Sequence, residues 1–220
     1  MKTALIGLSA AVFLALPIAC AAAPTSSGSG IVSNKSASAS NDTPTWTSAS
    51  GKAYPATCPA LLRHTFPRLQ DEEPQSLCQY AGRVLLVVNT ASFCGFTGQY
   101  KGLEQLQSRY KDRGLVVLGF PSNDFNQESG SSREIADFCE NTYGVKFPMF
   151  DKSSVKGPQA SAFYQQLAAQ SGQAPRWNFY KYLIGRDGSV VNAYASLTSP
   201  DSRDLSREIE KQLALAVPAK

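Results

Sequence analysis

The sequence predicts an α/β protein in which a mixed β-sheet is flanked by helices. Two observations predict this fold class. Strand and helix signals alternate from about residue 58 to the end of the chain. Near the end, an Asp-Gly pair between two apolar runs indicates an antiparallel hairpin, which makes the sheet mixed rather than wholly parallel.

The first half of this region contains two strand signals, each followed by a helix signal. The runs at 84–88 and 115–118 are short, continuously apolar and rich in valine, as expected of buried central strands. Apolar residues at helical spacing predict a helix that begins near Thr97 and is ended by Gly114. A capping box formed by Ser131 and Glu134 predicts the start of the second helix.

The second half adds a helix, the hairpin and a last helix. A short extended segment is expected at 146–150, and Pro158 is expected to be the first residue of the third helix. The strands at 179–184 and 190–195 flank the Asp-Gly turn, and the last helix is expected to begin near Pro200. This order of elements is that of a thioredoxin-like fold.

The composition excludes several kinds of function. Hydrophobic residues make up 43% of the 220 residues and charged residues 17%, as in a globular protein rather than a disordered one. The net charge of +4 is too small and too dispersed for a nucleic-acid-binding surface. Because His64 is the only histidine, multi-histidine metal centres are excluded, and a Cys-His catalyst would have to use this residue.

Residues 1–23 have the pattern of an export signal peptide. Lys2 supplies a positive start, an apolar run follows, and small residues that suit a signal peptidase end the segment. The apolar run is shorter than the ~20 residues that span a bilayer. Cys20 ends the sequence LPIAC, which resembles the lipobox of bacterial lipoproteins, so acylation of Cys20 and plain cleavage after Ala21 both remain open.

A segment rich in serine, glycine and alanine, at 24–57, separates this leader from the folded part. It has few large apolar side chains, so it cannot bury enough surface to offset its ordering entropy, and we expect a flexible linker. The folded domain is then expected to span 58–220. We expect the protein to be exported and, in a bacterium, to be periplasmic or anchored to the membrane through an acylated Cys20.

Cys94 is the strongest candidate for a reactive side chain. It follows a buried strand and precedes a predicted helix. Functional crevices form at the carboxyl ends of strands, and the free N–H groups at a helix N-terminus stabilise a thiolate and lower the pKa of a thiol. The alternative interpretation is that Cys94 is a small buried hydrophobe, as most free cysteines are.

The surrounding sequence narrows the chemistry of such a thiolate. Disulfide exchange of the Cys-x-x-Cys kind is disfavoured because Thr97 stands three residues after Cys94. A Cys-His hydrolase would need His64, which lies in an irregular segment before the first buried strand. Peroxide reduction remains, and it requires polar groups that orient the peroxide and stabilise charge as the O–O bond breaks.

Two further segments supply polar groups of this kind. The sequence GFPSNDFNQESG at 119–130 leaves the second buried strand, at the same sheet edge as Cys94 if the strands are parallel. The sequence WNFYKYLI at 177–184 brings an indole and a side-chain amide to the start of the hairpin. Taken singly, each segment has an ordinary interpretation, because polar loops are usually solvated and tryptophan is more often a packing residue.

Together with NTASFCGFT at 89–97, these two segments resemble the three signature motifs of the glutathione peroxidase family. The similarity extends from about Ser76 to Leu205. In that family a tetrad of cysteine or selenocysteine, glutamine, tryptophan and asparagine is catalytic. The resemblance implies that no metal, flavin or haem is needed and that the tetrad consists of Cys94, Gln127, Trp177 and Asn178.

The resemblance also suggests how the enzyme is regenerated. Cys139 resembles the resolving cysteine of family members that use thioredoxin-like reductants rather than glutathione. Its helix would unwind locally so that its sulfur attacks the sulfenic acid on Cys94. The alternative is that Cys139 is simply core, because it shares a helical face with Ile135 and Phe138. The stretch between Phe150 and Trp177 lacks the insertion of tetrameric animal members, so we expect a monomer.

Cys58 and Cys78 flank a Pro-containing segment ahead of the first buried strand. In an exported chain such a pair is expected to form a structural disulfide. The alternative is that Cys78 serves as the resolving thiol.

The resulting hypothesis is a thiol-dependent peroxidase. It would reduce hydrogen peroxide or organic hydroperoxides through a cysteine sulfenic acid, form an intramolecular disulfide, and be reduced by a thioredoxin-like protein or glutathione. Two competing hypotheses stay open: a non-catalytic thioredoxin-like binding module of the cell envelope, and a dithiol oxidoreductase that acts on protein disulfides.

Overall fold

The computed structural model describes residues 58–217. The predicted signal peptide, Cys20 and the whole predicted linker lie outside these residues. Within the described range, no helix has both the length and the apolar character needed to cross a bilayer.

The fold is built on a four-stranded mixed sheet with the strand order β4-β3-β5-β6. Strands β3 and β4 are parallel, whereas β5 is antiparallel to both β3 and β6, which confirms the mixed sheet predicted from the hairpin. A separate two-stranded antiparallel ribbon, β1-β2, precedes this sheet. The strands are β1 (Thr65–Pro67), β2 (Pro74–Ser76), β3 (Val84–Thr90), β4 (Leu115–Pro121), β5 (Lys181–Ile184) and β6 (Val190–Tyr194).

Helices cover both faces of the four-stranded sheet, as a thioredoxin-like fold requires. Alternate residues of β3 face opposite ways, so that Leu86 packs in one apolar core with α1, α2 and α4, and Leu85 packs in a second core with α3. The α-helices are α1 (Gln99–Tyr110), α2 (Ser132–Tyr143), α3 (Ala162–Ser171) and α4 (Arg203–Ala214). Short 3-10 helices lie at Ala60–Leu62, Leu77–Tyr80 and Lys111–Arg113.

The helix boundaries follow local capping. The capping box of α2 is present as predicted: the Glu134 N–H donates to Ser131 Oγ, and the Ser131 N–H donates to the Glu134 carboxylate. After α1 and a 3-10 turn, Gly114 ends the helical run with a φ of 106°, a left-handed conformation that glycine adopts without strain.

The expected start of α3 at Pro158 is wrong. The helix begins at Ala162, because Ser161 caps it by accepting a hydrogen bond from the Tyr164 N–H. Pro158 instead lies in a turn just after Gly157, which has a φ of 67°. A proline suits the first helical turn, but a serine further along supplied the stronger start signal.

Two other elements start later than the sequence predicts. Strand β5 begins at Lys181 rather than at residue 179, because Phe179 has a left-handed φ of 60° that a strand cannot accommodate. Helix α4 begins at Arg203 rather than near Pro200, and Ser202 caps it by accepting a hydrogen bond from the Leu205 N–H. The hairpin turn itself is as predicted, with Gly188 at a φ of 81°.

The expected disulfide joins Cys58 and Cys78. It ties the segment just before the first 3-10 helix to the 3-10 helix that precedes β3, and both cysteines lie in the core on the α3 side of the sheet. The extended segment expected at 146–150 lies beside the free edge of β4, where the Phe150 N–H donates to the Gly119 carbonyl oxygen at 2.9 Å.

Candidate active site

Cys94 lies in a turn between β3 and α1, at the carboxyl edge of the parallel pair. Thr90 ends β3 opposite Pro121 at the end of β4, so the loops that follow both strands leave the same edge. The Thr97 hydroxyl organises this turn, since its oxygen accepts the Cys94 N–H at 3.0 Å and donates to the Cys94 carbonyl at 2.6 Å. Cys94 as a whole is 8% exposed and is therefore a buried residue.

The sulfur of Cys94 has one hydrogen bond among the described residues. The Phe96 N–H donates to Cys94 Sγ at 3.4 Å. Helix α1 begins only at Gln99, so this N–H group belongs to the turn before the helix and not to the helix itself.

Gln127 is held next to this turn by main-chain geometry. The Phe93 N–H donates to the Gln127 carbonyl oxygen at 3.1 Å, which joins the loop after β4 directly to the residue before Cys94. Asn126 bends the loop with a left-handed φ of 56°, a conformation that asparagine tolerates better than most residues. The side-chain oxygen Oε1 of Gln127 accepts a hydrogen bond from Asn178 Nδ2 at 2.9 Å.

Trp177 and Asn178 come from the segment that enters β5. Asn178 is fully buried, whereas the Trp177 side chain is 41% exposed. The Trp177 ring packs on Phe125 with 5.3 Å between ring centroids, two residues before Gln127 in the chain. The structure therefore brings the Cys94 turn, the Gln127 loop and the Trp177–Asn178 segment together at one edge of the sheet.

The four predicted tetrad residues are not joined by hydrogen bonds to the Cys94 sulfur. Within residues 58–217, Gln127 and Asn178 bond to each other, and neither they nor the Trp177 indole nitrogen bond to Cys94 Sγ. Neither the Gln127 side-chain NH2 group nor the Trp177 indole N–H has a partner in the described part of the chain. Each is therefore a donor that a bound molecule can use.

His64 does not form a pair with Cys94. Its partly buried ring lies 5.6 Å from the ring of Phe163, which packs in the core on the α3 side, and its Nε2 is 3.4 Å from Gln166 Oε1. Cys94 packs in the core on the opposite face of the sheet. The geometry of a Cys-His hydrolase is absent from residues 58–217.

Cys139 lies near the end of α2 and is 2% exposed. It packs in the same apolar core as Cys94 and is a free thiol, as Cys94 is. Burial raises the pKa of Cys139 to about 11, so the thiol is protonated at neutral pH while α2 is intact. Its carbonyl oxygen accepts the Val145 N–H at 3.2 Å, a bond that closes the C-terminal end of the helix.

Glu128 is a buried carboxyl group at the same edge of the sheet. It is fully buried, its Oε2 accepts a hydrogen bond of 3.0 Å from Ser92 Oγ, and its N–H donates to Asn123 Oδ1 at 2.9 Å. Burial raises the pKa of Glu128. The Ser92–Glu128 bond is a second link between the Cys94 turn and the Gln127 loop. Sequence periodicity gives no signal for it, because a loop glutamate is normally solvated.

Comparison with known proteins agrees with this geometry. The sequence model of the glutathione peroxidase family matches residues 63–168. The chain is 47% identical over 152 residues to "Glutathione peroxidase-like peroxiredoxin gpx1" of Schizosaccharomyces pombe, an alignment that covers 67% of this chain and 95% of that protein. It is 47% identical over 154 residues to "Hydroperoxy fatty acid reductase gpx1" of Synechocystis, covering 65% and 90% of the two chains.

Solved structures give the same result. The crystal structure of Trgpx in its apo form superposes with a TM-score of 0.58 and 34% identity, covering 73% of this chain and 99% of that one. A thiol:disulfide interchange protein of the thioredoxin family from Chlorobium tepidum superposes with a TM-score of 0.51 at 16% identity, over 69% and 93% of the chains, which supports the thioredoxin-like fold. The chain belongs to the glutathione peroxidase family.

Proposed function

We propose that this thiol-dependent peroxidase reduces its substrate at Cys94, with Gln127, Trp177 and Asn178 as the polar groups of the site. The observation that carries the proposal is the pair of hydrogen bonds that converge on Gln127. One comes from the Phe93 N–H beside Cys94, and the other comes from the Asn178 side chain. They join three distant segments at the carboxyl edge of the sheet, the edge where Cys94 lies and where α/β folds place their sites, which supports the proposal.

The first chemical step oxidises Cys94. The thiolate attacks the terminal oxygen of the peroxide, the S–O bond forms as the O–O bond breaks, and the departing oxygen takes a proton and leaves as an alcohol or water. The uncommitted N–H donors of Gln127 and Trp177 are suited to bind the peroxide and to stabilise the negative charge on the departing oxygen. Cys94 is left as a sulfenic acid.

The second step forms a disulfide between Cys94 and Cys139. Cys139 loses its proton and attacks the sulfenic sulfur, the S–S bond forms, and the oxygen leaves as water after taking up a proton. Cys78 is already paired with Cys58, which favours Cys139 as the resolving thiol. Because Cys139 is buried in the last two turns of α2, this 12-residue helix must open first.

An external dithiol then returns both cysteines to thiols. A thioredoxin-like protein supplies two electrons and two protons and is itself oxidised to a disulfide. This balances the reduction of one peroxide. The names of the yeast and cyanobacterial relatives, a peroxiredoxin and a hydroperoxy fatty acid reductase, favour this type of cycle and an organic hydroperoxide as substrate. The exposed ring of Phe93, beside Cys94, supplies apolar surface on which the organic part can rest.

Steady-state turnover with one electron donor at a time tests this function. We expect peroxide consumption with thioredoxin, thioredoxin reductase and NADPH, much less with glutathione as the only donor, and none in a Cys94→Ser variant. Absence of peroxide consumption with either donor would favour the non-catalytic binding module. Reduction of insulin disulfides without peroxide consumption would favour the dithiol oxidoreductase.

We also propose that the protein is exported and monomeric. The Cys58–Cys78 disulfide supports export, because structural disulfides persist in oxidising compartments. Fractionation of cells, with and without a Cys20→Ala substitution, separates a periplasmic protein from a lipid-anchored one. A cytoplasmic location would contradict export, and a dimer or tetramer in light scattering would contradict the monomer.

A further inference from the structure

Asn89 is a fully buried polar residue near the end of β3 that has no place in the chemistry described so far. Four hydrogen bonds join it to the segment 177–180, which carries Trp177 and Asn178. Two of the four are made by its main chain: its N–H donates to the Tyr180 carbonyl at 3.3 Å, and its carbonyl accepts the Phe179 N–H at 2.6 Å.

The side chain of Asn89 makes the other two bonds. Its Nδ2 donates to the Trp177 carbonyl oxygen at 3.1 Å, and its Oδ1 accepts the Tyr180 N–H at 3.1 Å. The side chain therefore spans the segment from the residue before Asn178 to the second residue after it. These two bonds require a neutral side chain with both a donor and an acceptor. Among side chains of this size, asparagine carries both on one planar amide.

The segment that Asn89 holds is conformationally strained. Phe179 has a φ of 60°, a region that a bulky residue enters only when the surrounding structure holds it there. The main chain on both sides of Phe179 is fixed by Asn89, and the Phe179 carbonyl also accepts a hydrogen bond of 2.7 Å from Lys181 Nζ. This turn directs Asn178 inward toward Gln127 while Trp177 stays half exposed.

We propose that Asn89 is a positioning residue for peroxide reduction, which sets the placement of Trp177 and Asn178 relative to Gln127 through the two side-chain hydrogen bonds. The inference rests on the proposed function of these residues. It requires no contact between Asn89 and substrate. Displacement of a reacting or binding group by about 1 Å is enough to lower a rate on the order of 100-fold.

The test compares Asn89→Asp with Asn89→Leu, using the second-order rate constant of Cys94 oxidation by peroxide from pH 5.5 to 8. In Asn89→Asp, the carboxylate still accepts a hydrogen bond from the Tyr180 N–H, but it has no proton to donate to the Trp177 carbonyl oxygen. Once protonated, the introduced carboxyl has an O–H donor and an acceptor and so imitates the amide. Burial raises the pKa of a carboxyl group, which brings this change toward the assayed range.

The readout is the rate constant of each variant divided by that of the wild-type protein at the same pH. We expect a loss of roughly 10- to 100-fold for both variants at pH 8. As the pH falls, the ratio should recover several-fold in Asn89→Asp and stay constant in Asn89→Leu. Wild-type rates in either variant, or a loss in Asn89→Asp that does not recover, would overturn the proposal. If Asn89→Leu does not fold, the pH profile of Asn89→Asp decides alone.

A second measurement reads the position of Trp177 without any activity. In a Trp46→Phe background Trp177 is the single tryptophan, because the chain has two. We expect acrylamide quenching of its fluorescence to change in Asn89→Asp at pH 8 and to return toward the wild-type value at pH 5.5. Unchanged quenching would overturn the positioning role. If the wild-type protein proved inactive toward peroxide, the proposed function would fail. This measurement would still test whether the hydrogen bonds of Asn89 set the position of Trp177.

Discussion

Asn178 Nδ2 lies 2.9 Å from Gln127 Oε1, and this hydrogen bond joins residues 51 positions apart in the chain. Because the Gln127 oxygen is occupied, the NH2 group at the other end of the same amide is oriented and remains available as a donor. The bond thus determines which end of Gln127 can serve a peroxide. In the proposed reaction, Asn178 therefore acts partly through Gln127.

The pair should therefore be energetically coupled in catalysis. We expect Gln127→Leu and Asn178→Leu each to lower kcat/KM for peroxide on the order of 100-fold, the typical effect of losing one donor that stabilises developing charge. The double variant should lose less than the product of the two, because residues in direct contact are not additive. Gln166→Leu, which removes an exposed amide beside His64, is the matched control and should retain the wild-type kcat/KM. Full multiplicativity would show that the two side chains act independently.

Opening of α2 should control access to Cys139. Ser131→Ala removes the capping box and is expected to cost about 1 kcal/mol of helix stability, which raises the population of the opened helix about fivefold. Alkylation of Cys139 at neutral pH, measured with Cys94 replaced by serine and Cys20 by alanine, should accelerate by the same factor. Ser161→Ala removes the corresponding cap from α3 and is the control. Equal acceleration by both substitutions would point to global rather than local opening.

The Cys58–Cys78 disulfide should stabilise the fold without contributing to the chemistry. The loop that it closes has a sequence separation of 20, for which chain entropy predicts about 3 kcal/mol. We expect Cys58→Ser combined with Cys78→Ser to lower the free energy of unfolding in urea by this amount. The kcat/KM for peroxide at 25 °C should stay unchanged in the folded variant. A large loss of turnover with thioredoxin, in a double variant that is still folded, would instead assign Cys78 to the resolving step.

Lys181 should make stability depend on pH. Burial lowers its pKa to about 7 in the folded protein, from an ordinary value of 10.5. Between these two values the unfolded chain binds more protons than the folded one, so the contribution of Lys181 to the free energy of unfolding rises with pH in this range. Below pH 7 the destabilisation by buried Lys181 has its full value and no longer changes with pH. Urea unfolding of the wild-type protein and of Lys181→Met at pH 7, 8, 9 and 10 measures this difference.

We expect the wild-type free energy of unfolding to increase with pH relative to that of Lys181→Met. Lys111→Met, at an exposed lysine, is the control and should follow the wild-type curve at every pH. Parallel curves for the wild-type protein and Lys181→Met would mean that Lys181 keeps an ordinary pKa when buried.

Local signals predicted most elements of the fold but not all of their ends. The capping box at Ser131 and the Asp-Gly hairpin were correct, because caps and tight turns are decided by neighbouring residues. Pro158 was the wrong start of α3, since a proline is permissive for a first helical turn whereas Ser161 supplies a hydrogen bond. The predicted start of β5 at residue 179 was wrong, because Phe179 adopts a left-handed φ in the turn that Asn89 holds.

By itself, the sequence determined the fold class, the family and the identities of the candidate site residues, with Cys94 at a strand end. The fold class follows from periodicity and turn signals, and the family and its candidate residues follow from the resemblance of three short motifs; all of these are local properties of the chain. The tertiary structure alone decided that Gln127 bonds Asn178, that Glu128 and Lys181 are buried, and that Asn89 holds the Trp177 segment. Each depends on contact between residues far apart in the chain. The free-energy cost of burying a polar side chain is offset only by hydrogen-bond partners that folding brings to it.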